Sequence, residues 1–306
     1  MSASIQVANL IKKYGSLTAV DAISFAVERG ETFGMLGPNG AGKTTTLEMI
    51  EGLKKPTAGT IRVEDLDVRT QTQAVKSIIG VQLQSSTFFE NLTLLELIEV
   101  FAACYNRKVD GRALLEEVQL AEKAGSKARE LSGGQKQRLS IAVGLVNDPK
   151  VLFLDEPTTG LDPQARRHLW ELVKTIKARG KTIVLTTHYM DEAEVLCDRV
   201  AIMDHARIVA LDTPGNLLAG SGVHTRIDVT AGLAPPMDAW RGLAGVVALD
   251  HGDADGYSLV TADSQATLDA LFTCVRAGTL KMDTLNVRRA TLEDVFLKLT
   301  GRQLRE

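Results

Sequence analysis

Three observations predict an α/β fold with a parallel sheet for this chain of 306 residues. Residues 37–44 read G-P-N-G-A-G-K-T, a glycine-rich turn set between a strand-like run at 31–36 and a run of helical composition at 45–50 that stops at Gly52. Two further runs, 151–154 and 182–187, are almost wholly apolar or β-branched, as parallel strands covered on both faces must be. Helix signals lie between them: Asp162-Pro163 reads as an N-cap and a first-turn proline, and Gly180 as a stop. Strands at 33–36, 151–154 and 182–187 alternating with helices make a parallel sheet the economical arrangement.

The stretch from about 86 to 130 differs. Leu94, Leu95, Leu97, Ile98, Phe101 and Ala102 repeat at helical spacing, and Leu114, Leu115 and Val118 do so again. An inserted helical subdomain is expected there. A turn cluster at 212–216, a short helix through Leu217 and Leu218, and Gly220-Ser221-Gly222 then suggest a linker, dividing the chain into 1–221 and 222–306. Beyond it the expected order is strand 225–229, helix 237–243, strand 246–249, strand 257–261, helix 265–275, strand 285–288 and helix 292–299. That is a small α+β unit of the ferredoxin-like β-α-β-β-α-β kind with an added terminal helix, whose Leu292, Val295, Phe296 and Leu299 share one face.

Composition narrows the class. Hydrophobic residues make up 44% of the chain, enough for two cores, and the formal net charge of −3 argues against a dominant nucleic-acid surface. Cys104, Cys197 and Cys274 are too scattered for a zinc site or a disulfide framework, which fits thiols in a reducing cytosol. The N-terminus lacks the basic and apolar regions of a signal peptide, and no stretch approaches eighteen apolar residues.

In open α/β sheets ligands sit beyond the carboxyl ends of the strands. Gly37 follows the first strand, Asp155 and Glu156 the second, and His188 the third. In the octet, Gly37, Pro38, Asn39, Gly40, Ala41 and Gly42 let backbone N–H groups approach a polyphosphate, with the helix N-terminus at Lys43, Thr44 and Thr45 adding partial positive charge. Lys43 would reach the β- and γ-phosphates, and the Thr44 hydroxyl would bind Mg²⁺. Asp155 is placed to hold the same ion, and Glu156 to take a proton from an attacking water. His188 can donate to a γ-phosphate oxygen, although a histidine after a strand taken alone is more often a surface residue. Ser132, Gly133, Gly134 and Gln135 precede a helix expected at about 136–146. They read as a plain helix cap or as a second phosphate-binding helix N-terminus.

Together these residues resemble the ATP-binding cassette of ABC transporters over about 5–215. L-S-G-G-Q at 131–135 looks like that family's signature, V-L-F-L-D-E-P-T-T-G-L-D at 151–162 its Walker B strand, catalytic glutamate and D-loop, and T-T-H-Y-M-D-E-A-E its switch-histidine segment. The resemblance implies ATP and Mg²⁺ as ligands, Tyr14 as the ring that stacks on adenine, and Gln84, in I-G-V-Q-L-Q, as a sensor of Mg²⁺ and water; Gln82 occupies a position usually apolar. It also implies a homodimer in which two ATP molecules are sandwiched head to tail, each P-loop facing the other subunit's signature helix. A separate integral-membrane permease would be the further partner, with no nucleic acid, and the chain would sit peripherally on the cytoplasmic face of the membrane. Phe88, Phe89 and Leu92 either dock on that permease or pack within the helical subdomain. T-T-L-E-M-I-E-G-L, H-Y-M-D-E-A-E and the ending T-L-E-D-V-F-L-K-L-T-G look like the ATPase subunits of daunorubicin-resistance-type exporters of drugs, antibiotics or other amphipathic compounds. The alternative is a non-transport cassette ATPase of DNA repair or translation. Asp65 and Ala206 stand where relatives often have glycine, which puts turn geometry in question there.

Overall fold

A computed structural model describes residues 3–82, 88–220, 225–234, 236–251 and 256–301. Along the chain run β1 (Ala3–Tyr14), β2 (Leu17–Glu28), β3 (Thr32–Leu36), α1 (Lys43–Ile50), β4 (Ala58–Val63), β5 (Leu66–Asp67), α2 (Thr72–Ile78), β6 (Ile79–Gln82), α3 (Leu94–Cys104), α4 (Gly111–Glu117) and α5 (Gly133–Leu145). There follow β7 (Val151–Asp155), α6 (Pro163–Ala178), β8 (Thr182–Thr187), α7 (Met190–Leu196), β9 (Arg199–Asp204), β10 (Arg207–Asp212) and α8 (Pro214–Gly220). The chain closes with β11 (Thr225–Leu233), α9 (Met237–Arg241), β12 (Val246–His251), β13 (Gly256–Thr261), α10 (Ser264–Arg276), β14 (Lys281–Arg288) and α11 (Leu292–Thr300). It divides into two compact units between Pro214 and Gly215. The division falls ahead of the glycine-serine stretch at 220–222, so all of α8 after its first residue lies in the second unit.

The first unit holds two sheets. One is antiparallel, in the order β2-β1-β4-β5; the other runs β10-β9-β3-β8-β7-β6 and is parallel except for the β9/β10 hairpin at its edge. The three strands expected from their apolar runs, β3, β8 and β7, are therefore neighbours. Every residue of all three is buried, which explains why they show no polar alternation. A single apolar core joins Ile5, Val7 and Phe25 of the antiparallel sheet, Leu47, Met49 and Ile50 of α1, and Phe33, Met35 and Phe153 of the parallel sheet. Phe25 and Phe33 stack across it at 5.1 Å. Truncating one of these aromatic rings to alanine would cost about 3–5 kcal/mol.

α3 and α4 form where leucine spacing predicts them. The Thr93 hydroxyl accepts from the Glu96 amide while the Glu96 carboxylate accepts from the Thr93 amide, and the Asp110 carboxylate caps α4. The tight hairpins β4/β5 and β9/β10 turn through Glu64-Asp65 and His205-Ala206, all four with positive φ. Such two-residue turns favour glycine, so Asp65 and Ala206, both at φ 66°, hold left-handed backbone without its help.

In the second unit the sheet order is β12-β13-β11-β14, fully antiparallel. Ile227, Val229 and Ala231 alternate along β11 and pack with Trp240 of α9, Leu259 of β13 and Leu271 of α10. Polar pairs occupy the alternate positions: the Ser258 hydroxyl donates to Asp228 at 2.6 Å, and Thr230 pairs with Thr284 at 2.6 Å. On α11, Leu292, Val295 and Phe296 are buried, but Leu299, expected on the same face, is 45% exposed in the last turn.

Glu51 ends α1 with its side chain only 2% exposed. Burial, reinforced by the negative charges of Asp155 and Glu48, raises its carboxyl from the ordinary 4.5 to about 8. Between those values the folded protein holds a proton that the unfolded chain has released. Its contribution to stability is therefore full below pH 4.5 and is lost as pH rises through 8. Glu51→Gln keeps the neutral shape at every pH. Its melting temperature should gain on that of the unsubstituted protein by roughly 4 °C or more between pH 5 and pH 8. A pH-independent gap would contradict the buried neutral carboxyl.

Candidate functional site

The site grows from the ends of β3, β7 and β8. Parallel pairing sets Leu36 beside Thr187 and Asp155 beside Thr186, so the residues that follow each strand emerge at one rim. After β3 the chain turns sharply at Gly37. A side chain there would collide with the Met203 carbonyl, so only glycine fits. At Gly42 φ is 101° and a Cβ would lie 2.5 Å from the Ala19 carbonyl oxygen. As N-cap of α1, Gly42 offers no capping side chain, and the first-turn N–H groups of the helix are left for a ligand. Asn39 and Gly40 are exposed, Ala41 is buried, and Pro38, Thr44 and Thr45 are half-buried.

Lys43 is 4% exposed. Its ammonium donates to the carbonyls of Gly37 at 2.8 Å and Pro38 at 3.1 Å and lies 3.5 Å from Glu156 Oε1. Burial pulls its pKa below the usual lysine value, while the carboxylates of Glu156 and Asp155 push it back up. The Thr44 hydroxyl donates to Asp155 Oδ1 at 3.1 Å, and the Thr186 hydroxyl donates to the same oxygen at 2.5 Å. Burial raises the Asp155 carboxyl, and these two hydroxyls oppose the rise. Thr44 and Asp155 thus present hard oxygen donors side by side, a set suited to a small divalent cation that takes its other ligands from phosphate and water.

Glu156 takes a left-handed conformation, φ 46°, a strain of about 1–3 kcal/mol for a residue with a Cβ. Its amide donates to the Thr186 hydroxyl at 3.0 Å, and its Oε2 accepts from the Thr159 hydroxyl at 3.2 Å. His188 Nδ1 is 3.4 Å from that same Oε2. The rim therefore brings together Lys43, Thr44, Asp155, Glu156 and His188, all expected from sequence. Thr186 and Thr159 were not expected. The signal for Thr186 was available, since two threonines at the end of a wholly buried strand need partners for their hydroxyls.

The glycine-serine segment stands apart from this rim. α5 begins at Gly133, three residues before the expected start at about 136, with Ser132 as its N-cap in a complete capping box with Gln135. The Ser132 hydroxyl accepts from the Gln135 amide at 3.3 Å, and Gln135 Oε1 accepts from the Ser132 amide at 2.9 Å. Gly133 and Gly134 are thereby the first helical residues rather than a loop. Ser132, Gly134 and Gln135 line a cavity of about 180 Å³ with Asp162, Gln164 and His168, and no residue of the phosphate loop lines it. Tyr14 ends β1, 43% exposed, with the Lys12 and Lys54 ammonium groups 4.9 and 5.8 Å from its ring centre. Gln84 lies outside the described residues. Gln82 is fully buried, paired with Leu154 at the end of β6. Phe89 is 62% exposed, while Phe88 and Leu92 are half-buried.

Comparison with known proteins identifies the family. Residues 20–159 match the ABC transporter family. The chain is 39% identical to the Nod factor export ATP-binding protein I of Ralstonia nicotianae, over 99% of this chain and 95% of that one. It is 36% identical to the linearmycin resistance ATP-binding protein LnrL of Bacillus subtilis, over 99% of this chain and the whole of that one. Among solved structures, the dimeric post-hydrolysis state of the ATP-binding cassette MJ0796 bound to ADP and Pi superposes with a TM-score of 0.62 at 27% identity, covering 68% of this chain and 98% of that one. The chain belongs to the ATP-binding subunits of ABC transporters. It is accordingly an ATPase, of a class that dimerises and pairs with membrane permeases. The relatives named here are transporter subunits and lend nothing to a role in DNA repair or translation.

Lys43→Ala removes a charge-assisted contact to phosphate and should weaken ATP binding about 10- to 100-fold, read by titration with a fluorescent ATP analogue. Glu156→Gln preserves shape but cannot accept a proton. Turnover should drop by about 10²–10⁴ while ATP still binds, and a phosphate-release assay beside the same titration separates the two effects.

Proposed function

We propose that this chain is the motor of an exporter, working as a homodimer with two composite ATP sites. The observation that carries the proposal is the gathering of Lys43, Thr44, Asp155, Glu156 and His188 at one rim while Ser132, Gly134 and Gln135 line a separate cavity. One chain alone leaves the phosphate loop without its signature helix. Head-to-tail pairing supplies Ser132 and Gly134 from the second copy to the site of the first, and the reverse.

In each site Lys43, the loop amides and the first turn of α1 bind the β- and γ-phosphates. Thr44 and Asp155 hold Mg²⁺, joined by Gln84, and Tyr14 stacks on adenine. Mg²⁺ supplies Lewis-acid stabilisation of charge on the phosphates when bound. Glu156 accepts the proton of the attacking water, and its strained backbone with the Thr159 contact fixes the direction of its lone pairs. His188 donates to the γ-phosphate. ATP closes the sandwich and hydrolysis lets it reopen.

Among the described residues no helix is long and apolar enough to cross a membrane. The class to which the chain belongs pairs with membrane permeases, and the dimer docks at the cytoplasmic side of such a permease through the region of Gln84, Phe88, Phe89 and Leu92. The exposed Phe89 ring supports that contact. The names of the relatives support export: one serves Nod factor export, another linearmycin resistance. Drugs, antibiotics or other amphipathic compounds are the cargo proposed for this chain. The second unit is a ferredoxin-like accessory domain. Its strand order, with the first and third strands central, supports this, and its role is assembly with the permease or control of dimer opening.

Mixed dimers test the composite site. Pairing a Ser132→Arg chain with a Lys43→Ala chain places both defects in one site and leaves the other intact in composition. One high-affinity ATP per mixed dimer is expected in equilibrium dialysis. Zero or two would contradict head-to-tail pairing. Co-purification of a membrane subunit that stimulates phosphate release tests the transport reading independently.

A further inference from the structure

We propose that α6 is a positioning device for His188, acting through Arg166 and Trp170, which clamp the segment after the histidine. Asp162, Arg166 and Trp170 are spaced by four residues and so lie along one stripe of the helix. Asp162 anchors the helix start, its carboxylate accepting from the amides of Gln164 at 2.9 Å and Ala165 at 2.8 Å. One turn on, the Arg166 guanidinium lies over the Tyr189 ring, 4.1 Å from its centre, and 3.7 Å from the Asp191 carboxylate. A further turn on, the Trp170 indole N–H donates to Glu192 Oε1 at 3.2 Å.

These contacts converge on the reacting groups. The Tyr189 ring packs against the His188 imidazole, with centres 4.2 Å apart and planes tilted by 43°, and His188 Nδ1 in turn lies 3.4 Å from Glu156 Oε2. A continuous column runs Arg166, Tyr189, His188, Glu156. Glu192 secures the other end of the segment from a fully buried position, its carboxylate accepting from the indole. Arg166 and Trp170 touch neither Asp155 nor Lys43 in any of these contacts. Their effect passes through the orientation of the imidazole, on which a donated hydrogen bond to phosphate depends steeply.

The inference rests on His188 acting at the γ-phosphate, as proposed above. The test uses the full chain with Tyr189→Leu, Tyr189→Phe, Arg166→Ala and His188→Ala, measuring kcat and KM for ATP beside melting temperature. Tyr189→Leu and Arg166→Ala should each lower kcat about tenfold with KM within about twofold. Tyr189→Phe, which keeps the ring face, should restore most of the loss. Full turnover in Tyr189→Leu or Arg166→Ala beside a slow His188→Ala would overturn the positioning role alone. Equal impairment of the Phe and Leu variants would also overturn it, because the hydroxyl would then be the operative group. Loss that tracks a lowered melting temperature and a raised KM would reduce the column to a structural part. Wild-type turnover in His188→Ala would remove the role assigned to the histidine, and this inference with it.

Discussion

The parallel pairing of β3, β8 and β7 is the constraint on which the rest of the molecule depends. It aligns Leu36 with Thr187 and Asp155 with Thr186, so that three distant stretches of chain finish at the same level. Because side chains alternate along a strand, a slip of one residue in β8 would turn Thr186 away and present its neighbour instead. Thr186 then could not serve both the Asp155 carboxylate and the Glu156 amide, which it now bridges at 2.5 and 3.0 Å. Burial on both faces gives such a slip a large cost, since every residue of the three strands is enclosed.

Around that rim the protein concentrates what is unfavourable elsewhere. Lys43, Asp155 and Glu156 are buried charges within a few ångströms of one another, and Glu156 also carries left-handed backbone. Desolvation of this kind is tolerated where opposite charges and donated hydrogen bonds answer it, as Lys43 and Thr44 do here. Buried, perturbed groups gathered at the end of a sheet mark a place where charge is to be handled rather than hidden.

The helices divide the labour. α1 is embedded between the two sheets, and its first turn has no capping side chain. α5 uses a capping box to present its own N-terminus at a different place. α6 touches the segment after His188 from the side through an arginine and a tryptophan one turn apart. The second unit contributes none of the rim residues and has a separate core around Trp240.

Much of this was legible in the sequence because it is local. Gly37 and Gly42 answer backbone clashes and Gly40 a positive φ, wholly apolar runs announce strands covered on both faces, and Asp162-Pro163 announces a helix start. Even the elements of the second unit emerged from alternation and helical period, within a few residues at their ends. Other features needed three dimensions. Ser132 was legible as a helix cap, but the reach of Gln135 back to the Ser132 amide, which starts α5 at Gly133, was not. The exposure of Leu299 could not be told from Phe296, its neighbour on the same helical face. The roles of Thr186, Arg166, Tyr189 and Trp170 depended on which strands pair and which helix lies beside them. Sequence by itself determined the local conformations and the chemical types at the strand ends. Tertiary structure alone decided which of those ends meet, because long-range pairing is set by the joint burial of apolar faces and not by any single segment.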